Sequence, residues 1–329
     1  MLPMAKIALV TGAGGFIGSH LVEELVRRGW RVRAFLRYNA RHDTGNLVFL
    51  PKRTLESVEL VFGDVRDIDT VKAALEGCRC VFHLAALISV PYSYDAPRSF
   101  VETNVIGTLN VLQASAEAGV ERVVVVSTSE IYGTARTVPI AEDHPVRAQS
   151  PYAASKAAAD RLAESFHLTY DLPLVIIRPF NTYGPRQSAR AVIPSIVLQA
   201  LESSVIRLGF TGAVRDFLYV SDTVNGLIQC GLAEGAVGRE INLATGEGVA
   251  IRDVVRLIGE ILGKRLRIKT EPVRFRPKGS EVEKLVGSYE AANRICGWKP
   301  SVPFRRGLEK TVKWIRSNSG FYALKGYLK

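Results

Sequence analysis

Ile7-Ala-Leu-Val-Thr-Gly12-Ala-Gly-Gly15-Phe16-Ile17-Gly18 is the stretch that decides how this chain folds. Its first residues are a short apolar run, as expected of a strand buried on both faces. A helical pattern follows the glycines (Ile17, Leu21, Val22, Leu25, Val26) and ends at Gly29, and a second strand begins at Arg31-Val-Arg-Ala-Phe-Leu36. Strand, glycine turn, helix and strand within about thirty residues form the frame in which such glycines hold a dinucleotide. Gly12 permits the tight turn, and Gly15 lets backbone N–H groups at the helix start approach a pyrophosphate. Gly18 lets the helix lie close to the sheet. Phe16 and Ile17 belong to the same turn.

Outward from this unit the alternation continues. Apolar strands are expected at Val58–Phe62, Cys80–Leu84, Arg122–Val126 and Leu174–Ile177, with helices over 67–76, 99–118 and 151–171. The pattern predicts an α/β protein: a Rossmann-type doubly wound parallel sheet with a smaller C-terminal α/β substrate lobe. Residues 1–178 would form the dinucleotide-binding domain, with segments near 220–245 returning to it, and 179–329 mainly the substrate lobe. Ligands bind beyond the carboxyl ends of such strands, where Gly12, Asp64, Ala85, Thr128 and Phe180 all fall. In the second half, helices are expected at Ile193–Leu201, Val220–Leu232, Ile251–Leu262 and Arg305–Ile315.

The second strand ends at Leu36-Arg37-Tyr38-Asn39, where an acid for the adenosine ribose is usual. No carboxylate stands there, and the Arg37 guanidinium suits a 2′-phosphate. The chemistry leans to NADP and leaves NAD open, with Arg37 stacked on adenine. Composition limits the alternatives. With 329 residues, 47% hydrophobic and 23% charged, the chain can bury a large core. A formal net charge of +11 invites nucleic acid as a partner, but only Arg27 to Arg41 is dense in arginine and no nucleic-acid or zinc motif accompanies it. Anionic small molecules are the expected partners, with no nucleic acid and no membrane. Cys78, Cys80, Cys230 and Cys296 show no metal spacing, so no metal is expected and reduced thiols are. A strand near the start and no long apolar stretch read as cytoplasmic. The tail, Gly320 to Lys329, is expected to fray.

Pro151 suits the first turn of a helix, and Tyr152 and Lys156, four apart, share one of its faces. An unperturbed phenol has a pKa of about 10. A neighbouring ammonium is expected to lower it toward what a base at neutral pH requires.

Together, Thr11–Gly18, Gly63-Asp64-Val65, His83-Leu84-Ala85-Ala86, Ser127-Thr-Ser-Glu-Ile-Tyr-Gly133, Tyr152-x-x-x-Lys156, Arg178-Pro-Phe-Asn-Thr-Tyr-Gly-Pro185, Arg215-Asp-Phe-Leu-Tyr-Val220 and Gly297-Trp-Lys-Pro resemble the extended short-chain dehydrogenase/reductase family of nucleotide-sugar epimerases and dehydratases. The resemblance runs nearly end to end. It implies a tightly bound NAD or NADP, recycled within each turnover, a nucleotide-sugar substrate and a homodimer built on helices 99–118 and 151–171. Asp64 and Val65 would border the adenine, and Leu84 to Ala86 the cofactor's middle. Tyr152 would take the proton of the sugar's C4 hydroxyl beside Thr128, with Lys156 reaching the nicotinamide ribose. Asn181, Arg215 and Arg276 would contact the substrate diphosphate, and Ser89, Arg190 and Val192 the substrate.

Such enzymes share a 4-keto intermediate and then diverge into epimerisation, loss of water between C5 and C6, or loss of a C6 carboxylate. Glu130 in Thr128-Ser129-Glu130 is suited to act as a base at C5, which a simple 4-epimerase does not need. The dehydratases of deoxythymidine diphosphoglucose carry an Asp where this chain has Ser129, and UDP-glucuronate decarboxylases share Thr-Ser-Glu. The run from Arg178 to Pro194, with Tyr38-Asn39, is most similar to N-acetylglucosamine nucleotide 4,6-dehydratases of legionaminic-type sugar biosynthesis. A 4,6-dehydratase is therefore the leading expectation, with decarboxylase and 4-epimerase as alternatives. An NADP-binding sensor protein is the non-enzymatic one, disfavoured by intact Tyr152, Lys156, Thr128 and Glu130.

Overall fold

The structure, a computed structural model, describes residues 6–322. Among these, the largest sheet has seven strands: β1 (Ile7–Thr11), β2 (Arg31–Arg37), β3 (Val58–Gly63), β4 (Cys80–His83), β5 (Arg122–Val126), β6 (Leu174–Pro179) and a last strand, Glu240–Leu243. All pair in parallel, in the spatial order Glu240–Leu243, β6, β5, β4, β1, β2, β3. The chain reverses its winding between β1 and β4, and a crevice opens at the carboxyl ends there. Five valine-rich residues of β5 and all of β6 are buried, as parallel strands covered on both faces should be.

Helix α1 (Phe16–Arg27) packs across the glycine turn. Gly12 has φ +70°, and a Cβ on Gly18 would sit 2.2 Å from the Gly12 carbonyl oxygen, so the turn and helix fit only without one. The helix Pro151–Tyr170 starts as expected: Pro151 fills its first turn, and the Ser150 hydroxyl accepts from Ala153 N at 3.1 Å.

The helix expected over 99–118 forms differently. Pro97–Phe100 and Gly107–Ala118 are α-helical, but Val101–Ile106 between them is a π turn. Asn104 lies in that wide turn, fully buried. It accepts from Leu87 N at 2.8 Å and donates to Leu87 O at 3.0 Å and Ser155 Oγ at 2.9 Å. The turn thereby ties the loop after β4 to the helix bearing Tyr152.

The second half forms smaller sheets. Val214–Arg215 lies between Val249–Ala250 and Lys284–Leu285, and Val205–Leu208 pairs with Arg267–Thr270. The amphipathic helix Ile251–Leu262 packs its apolar face against helices Val192–Glu202 and Phe304–Ser317. Fraying from Gly320 is not what the structure shows as far as Tyr322. Phe321 and Tyr322 pack edge-on against Trp314, and the Tyr322 hydroxyl donates to Gln187 O at 2.8 Å. Burying the Tyr322 ring there outweighs the entropy of a free end. The expected tail residues 323–329 lie outside the described residues.

Candidate active site

One cleft of about 1800 Å³ runs along the carboxyl ends of the strands. Gly12, Gly15, Phe16, Ile17 and Gly18 form one end, and Arg215 and Arg276 lie toward the other, with Thr128, Ser129, Glu130, Tyr152 and Lys156 also in its wall. Its glycine end fits a pyrophosphate. Helix α1 begins at Gly15 with no side-chain cap and no acid in its first turn, so its free N–H groups can bind an anion. A Cβ on Gly15 would touch only the Gly12 oxygen, so the glycine leaves that space to a ligand.

Tyr152, Lys156 and Asp160 succeed one another at four-residue spacing on the helix face, and all three are buried. The expectation that Lys156 would lower the phenol's pKa is overturned. Burial pushes Tyr152 up to about 12, against a hydrogen bond to Thr128 and with Glu130 and Asp160 adding to the rise. Lys156 Nζ donates instead to the Val126 carbonyl of β5 at 2.7 Å. Burial also lowers the pKa of Lys156, opposed by Asp160. The bond to Val126 uses one of the ammonium's three N–H donors, and burial of the phenol disfavours the phenolate. Thr128 caps the short turn Ser129–Tyr132, its hydroxyl accepting from Glu130 N at 3.2 Å.

Behind this face sits an anchor. Arg178, at the end of β6, is fully buried and donates from Nε to Asp160 at 3.1 Å and from Nη1 to Tyr132 Oη at 2.9 Å. It also pairs with Glu240 of the last strand. His83 of β4 lies between Thr11 Oγ1 at 2.8 Å and Thr108 Oγ1 at 3.0 Å. Burial, with Lys156 adding to it, holds that imidazole down to about 3.

At the other end, Arg276 Nη1 stands 3.7 Å from Glu130 Oε2, and Arg215 Nη2 stands 3.7 Å from Glu281 Oε1. The two arginines expected at the diphosphate therefore each face a carboxylate. Asn181 lines the same cleft, and its buried Oδ1 accepts no hydrogen bond from the protein. Ser89, Arg190 and Val192 line it too, as do Arg37 and Leu84 to Ala86. Ser89 caps the helix Val90–Asp95.

Asp64 and Val65 are the expected site residues outside that lining. The Asp64 carboxylate is engaged by Arg66 Nη2 at 2.6 Å, and the Val65 carbonyl accepts from Asn110 Nδ2 at 2.9 Å. The sequence reading missed Asp43, Tyr94, Arg186, Gln187 and Glu281, all in the wall. Asp43 returns an acid to the neighbourhood of Arg37, its Oδ1 accepting from Gly45 N at 2.8 Å. The Asp43–Gly45 sequence is a turn signal that could have marked this loop. Glu281 carries no such signal. Among the described residues no cluster could hold a metal ion, and no helix is long and apolar enough to cross a membrane.

Comparison with known proteins agrees with this geometry. The GDP-mannose 4,6 dehydratase family matches residues 9–311. A dTDP-glucose 4,6-dehydratase from Xanthomonas campestris pv. campestris is 34% identical, covering 94% of this chain and 93% of its own length. A UDP-glucose 4-epimerase from Mycolicibacterium smegmatis is 33% identical over 94% of this chain and 99% of its own. The crystal structure of DesIV, a dTDP-glucose 4,6-dehydratase from Streptomyces venezuelae with NAD bound, superposes with a TM-score of 0.87 at 33% identity, covering 96% of this chain and 99% of that one. The chain belongs to the nucleotide-sugar dehydratase and epimerase family of extended short-chain dehydrogenases/reductases.

Proposed function

We propose that this protein is an NAD(P)-dependent nucleotide-sugar 4,6-dehydratase acting as a cytoplasmic homodimer, with an N-acetylglucosamine nucleotide as substrate. The observation that carries the reading is the meeting of Thr128, Glu130, Tyr152 and Lys156 in one cleft with the uncapped start of α1. In this reading residues up to 178 and the returning strand bind the dinucleotide, and the remainder binds the sugar nucleotide. Gly12 to Gly18 hold the pyrophosphate. Arg37, with Asp64 and Val65 beyond it, borders the adenosine, and Leu84 to Ala86 border the middle of the cofactor.

When bound, the oxidised nicotinamide supplies the hydride acceptor and a positive charge. Tyr152 takes the proton of the C4 hydroxyl, and Thr128 orients that hydroxyl beside it. Lys156, held by Val126 O, fixes the nicotinamide ribose. Glu130 removes the C5 proton that the 4-keto group has acidified, water leaves from C6, and the hydride taken from C4 would return to C6 with a proton to C5, so that the net change is loss of water. Ser129 is a poor acid, so Glu130 serves both ends of the elimination or Ser129 positions a water that does. Asn181, Arg215 and Arg276 hold the diphosphate, and Ser89, Arg190 and Val192 also contact the substrate. The cofactor's 2′ position stays open between NAD, which DesIV binds, and NADP, which Arg37 suits.

The test is mass spectrometry of products from UDP-N-acetylglucosamine, dTDP-glucose and UDP-glucuronate. Loss of water from the first supports the proposal. Loss of carbon dioxide from the third would instead make the protein a decarboxylase. A product of unchanged mass would favour 4-epimerisation, the reaction named for the Mycolicibacterium smegmatis relative. No product from any of them would favour a binding protein.

A further inference from the structure

Arg276 is assigned above to a diphosphate, yet in the structure its nearest charged partner is the carboxylate assigned as base. The separation, 3.7 Å from Nη1 to Glu130 Oε2, is an attraction without a hydrogen bond, and Nη1 has no other hydrogen-bond partner. Arg215 and Glu281 repeat the arrangement at 3.7 Å. The two pairs line the same cleft and lie close enough to act on each other: Glu130 and Glu281 both act on Arg215, and Arg276 acts on Glu281. Two cations and two anions thus share one end of the cleft.

The backbone beside Arg276 is pinned. Ser280 Oγ and the Tyr94 hydroxyl are 2.5 Å apart, and the Glu281 carbonyl accepts from Gln149 Nε2 at 3.3 Å. The guanidinium itself ends a long, quarter-exposed side chain. A phosphate can offer it two hydrogen bonds of roughly 2.7–2.9 Å, which its present partner does not make.

We propose that Glu130 and the substrate's diphosphate compete for Arg276, so that a diphosphate entering the cleft frees more of the carboxylate to act as a base. This rests on the nucleotide-sugar reading above and adds a device to it. A free sugar or a sugar monophosphate that does not reach Arg276 leaves Glu130 engaged, so that binding at a remote group assembles the reactive one.

The test is a double-mutant cycle on UDP affinity, measured by calorimetry with the whole protein. Glu130→Gln binds UDP about two- to fivefold more tightly than the parent, the size expected of a partly exposed ion pair. Arg276→Gln binds it more weakly, by on the order of tenfold or more. The double variant binds no more tightly than Arg276→Gln alone, because the competition runs through that guanidinium. If Glu130→Gln tightens UDP equally in both backgrounds, the effect is plain charge repulsion and the proposal is overturned. It is equally overturned if Glu130→Gln leaves UDP affinity unchanged. Should Arg276→Gln fail to fold, Arg276→Lys in its place keeps a point charge and retains part of the coupling. Uridine, which lacks phosphate, binds all variants alike and reports an intact base site. If the parent binds none of UDP, dTDP and GDP, the nucleotide-sugar reading itself fails, which is a different result from binding without coupling.

Discussion

Replacing Asp160 by Asn removes one charge from the buried cluster that braces the catalytic helix against the sheet. Asp160 and Arg178 are both fully buried, and Arg178 reaches Asp160 through Nε and Nη2, each at 3.1 Å. Breaking a buried pair by removing one partner costs about 3–5 kcal/mol, because the remaining charge stays out of water. Asn keeps one acceptor oxygen, and Glu240 still faces Arg178, so the lower end, about 3 kcal/mol, is expected. At ~2 °C per kcal/mol for a large domain, the melting temperature falls by roughly 6 °C. A second variant separates charge from shape. Asp160→Leu with Arg178→Met removes both charges and recovers most of the loss, since Glu240 keeps its pairing with Arg161. Scanning calorimetry with far-ultraviolet circular dichroism reads both. A melting temperature for Asp160→Asn within 1 °C of the parent (about 0.5 kcal/mol), or a double variant no better than the single, would refute the reasoning.

Further outcomes are expected. His83 is held neutral by burial, down to about 3, whereas the unfolded imidazole takes a proton below about 6.5. The unfolded chain therefore binds more protons between those values, and stability falls as pH drops from 6.5 toward 3 by ~1.4 kcal/mol per unit. Urea midpoints against pH should flatten by one proton's share in His83→Gln, and identical slopes would contradict the assignment. Glu130→Gln should lower the rate of water loss by about 10²–10⁴-fold while hydride transfer, followed by absorbance near 340 nm, survives; unimpaired elimination would remove Glu130 from the mechanism. Tyr152→Phe should abolish both steps under either dehydratase or epimerase chemistry, and residual hydride transfer near the parent rate would count against the phenol. Gly18→Ala places a Cβ 2.2 Å from the Gly12 oxygen and should weaken NAD(P) binding and cost roughly 1–3 kcal/mol, read by cofactor titration and melting.

Much of this was legible because it is local. The glycine turn, its strand and its helix lie within about twenty residues, and Tyr152 and Lys156 lie within one helical turn. What escaped the sequence depends on distant segments or on burial. Arg215 and Glu281 meet because Val214–Arg215 pairs with Lys284–Leu285, a register that no local pattern announces. Asp43 reaches the cleft through a loop whose backbone bonds to the glycine turn, Asn46 N donating to Gly14 O at 2.9 Å. The phenol's upward shift reverses the expectation drawn from Tyr-x-x-x-Lys because spacing reports neighbours, not solvent. The π turn at Val101–Ile106 breaks a smooth helical pattern, because Asn104 bonds across to Leu87 and Ser155.

The last strand of the large sheet, Glu240–Leu243, comes from the far half of the chain and lies beside β6. Its residues Glu240 and Asn242 also reach Arg178 and the Tyr132 hydroxyl. The two halves are therefore interlaced rather than strung in series. A fragment cut after Pro179 would lose that neighbour and expose the whole hydrogen-bonding edge of β6, a buried apolar strand of the kind that pairs with other chains. Such a piece is expected to aggregate rather than survive as a free-standing dinucleotide binder.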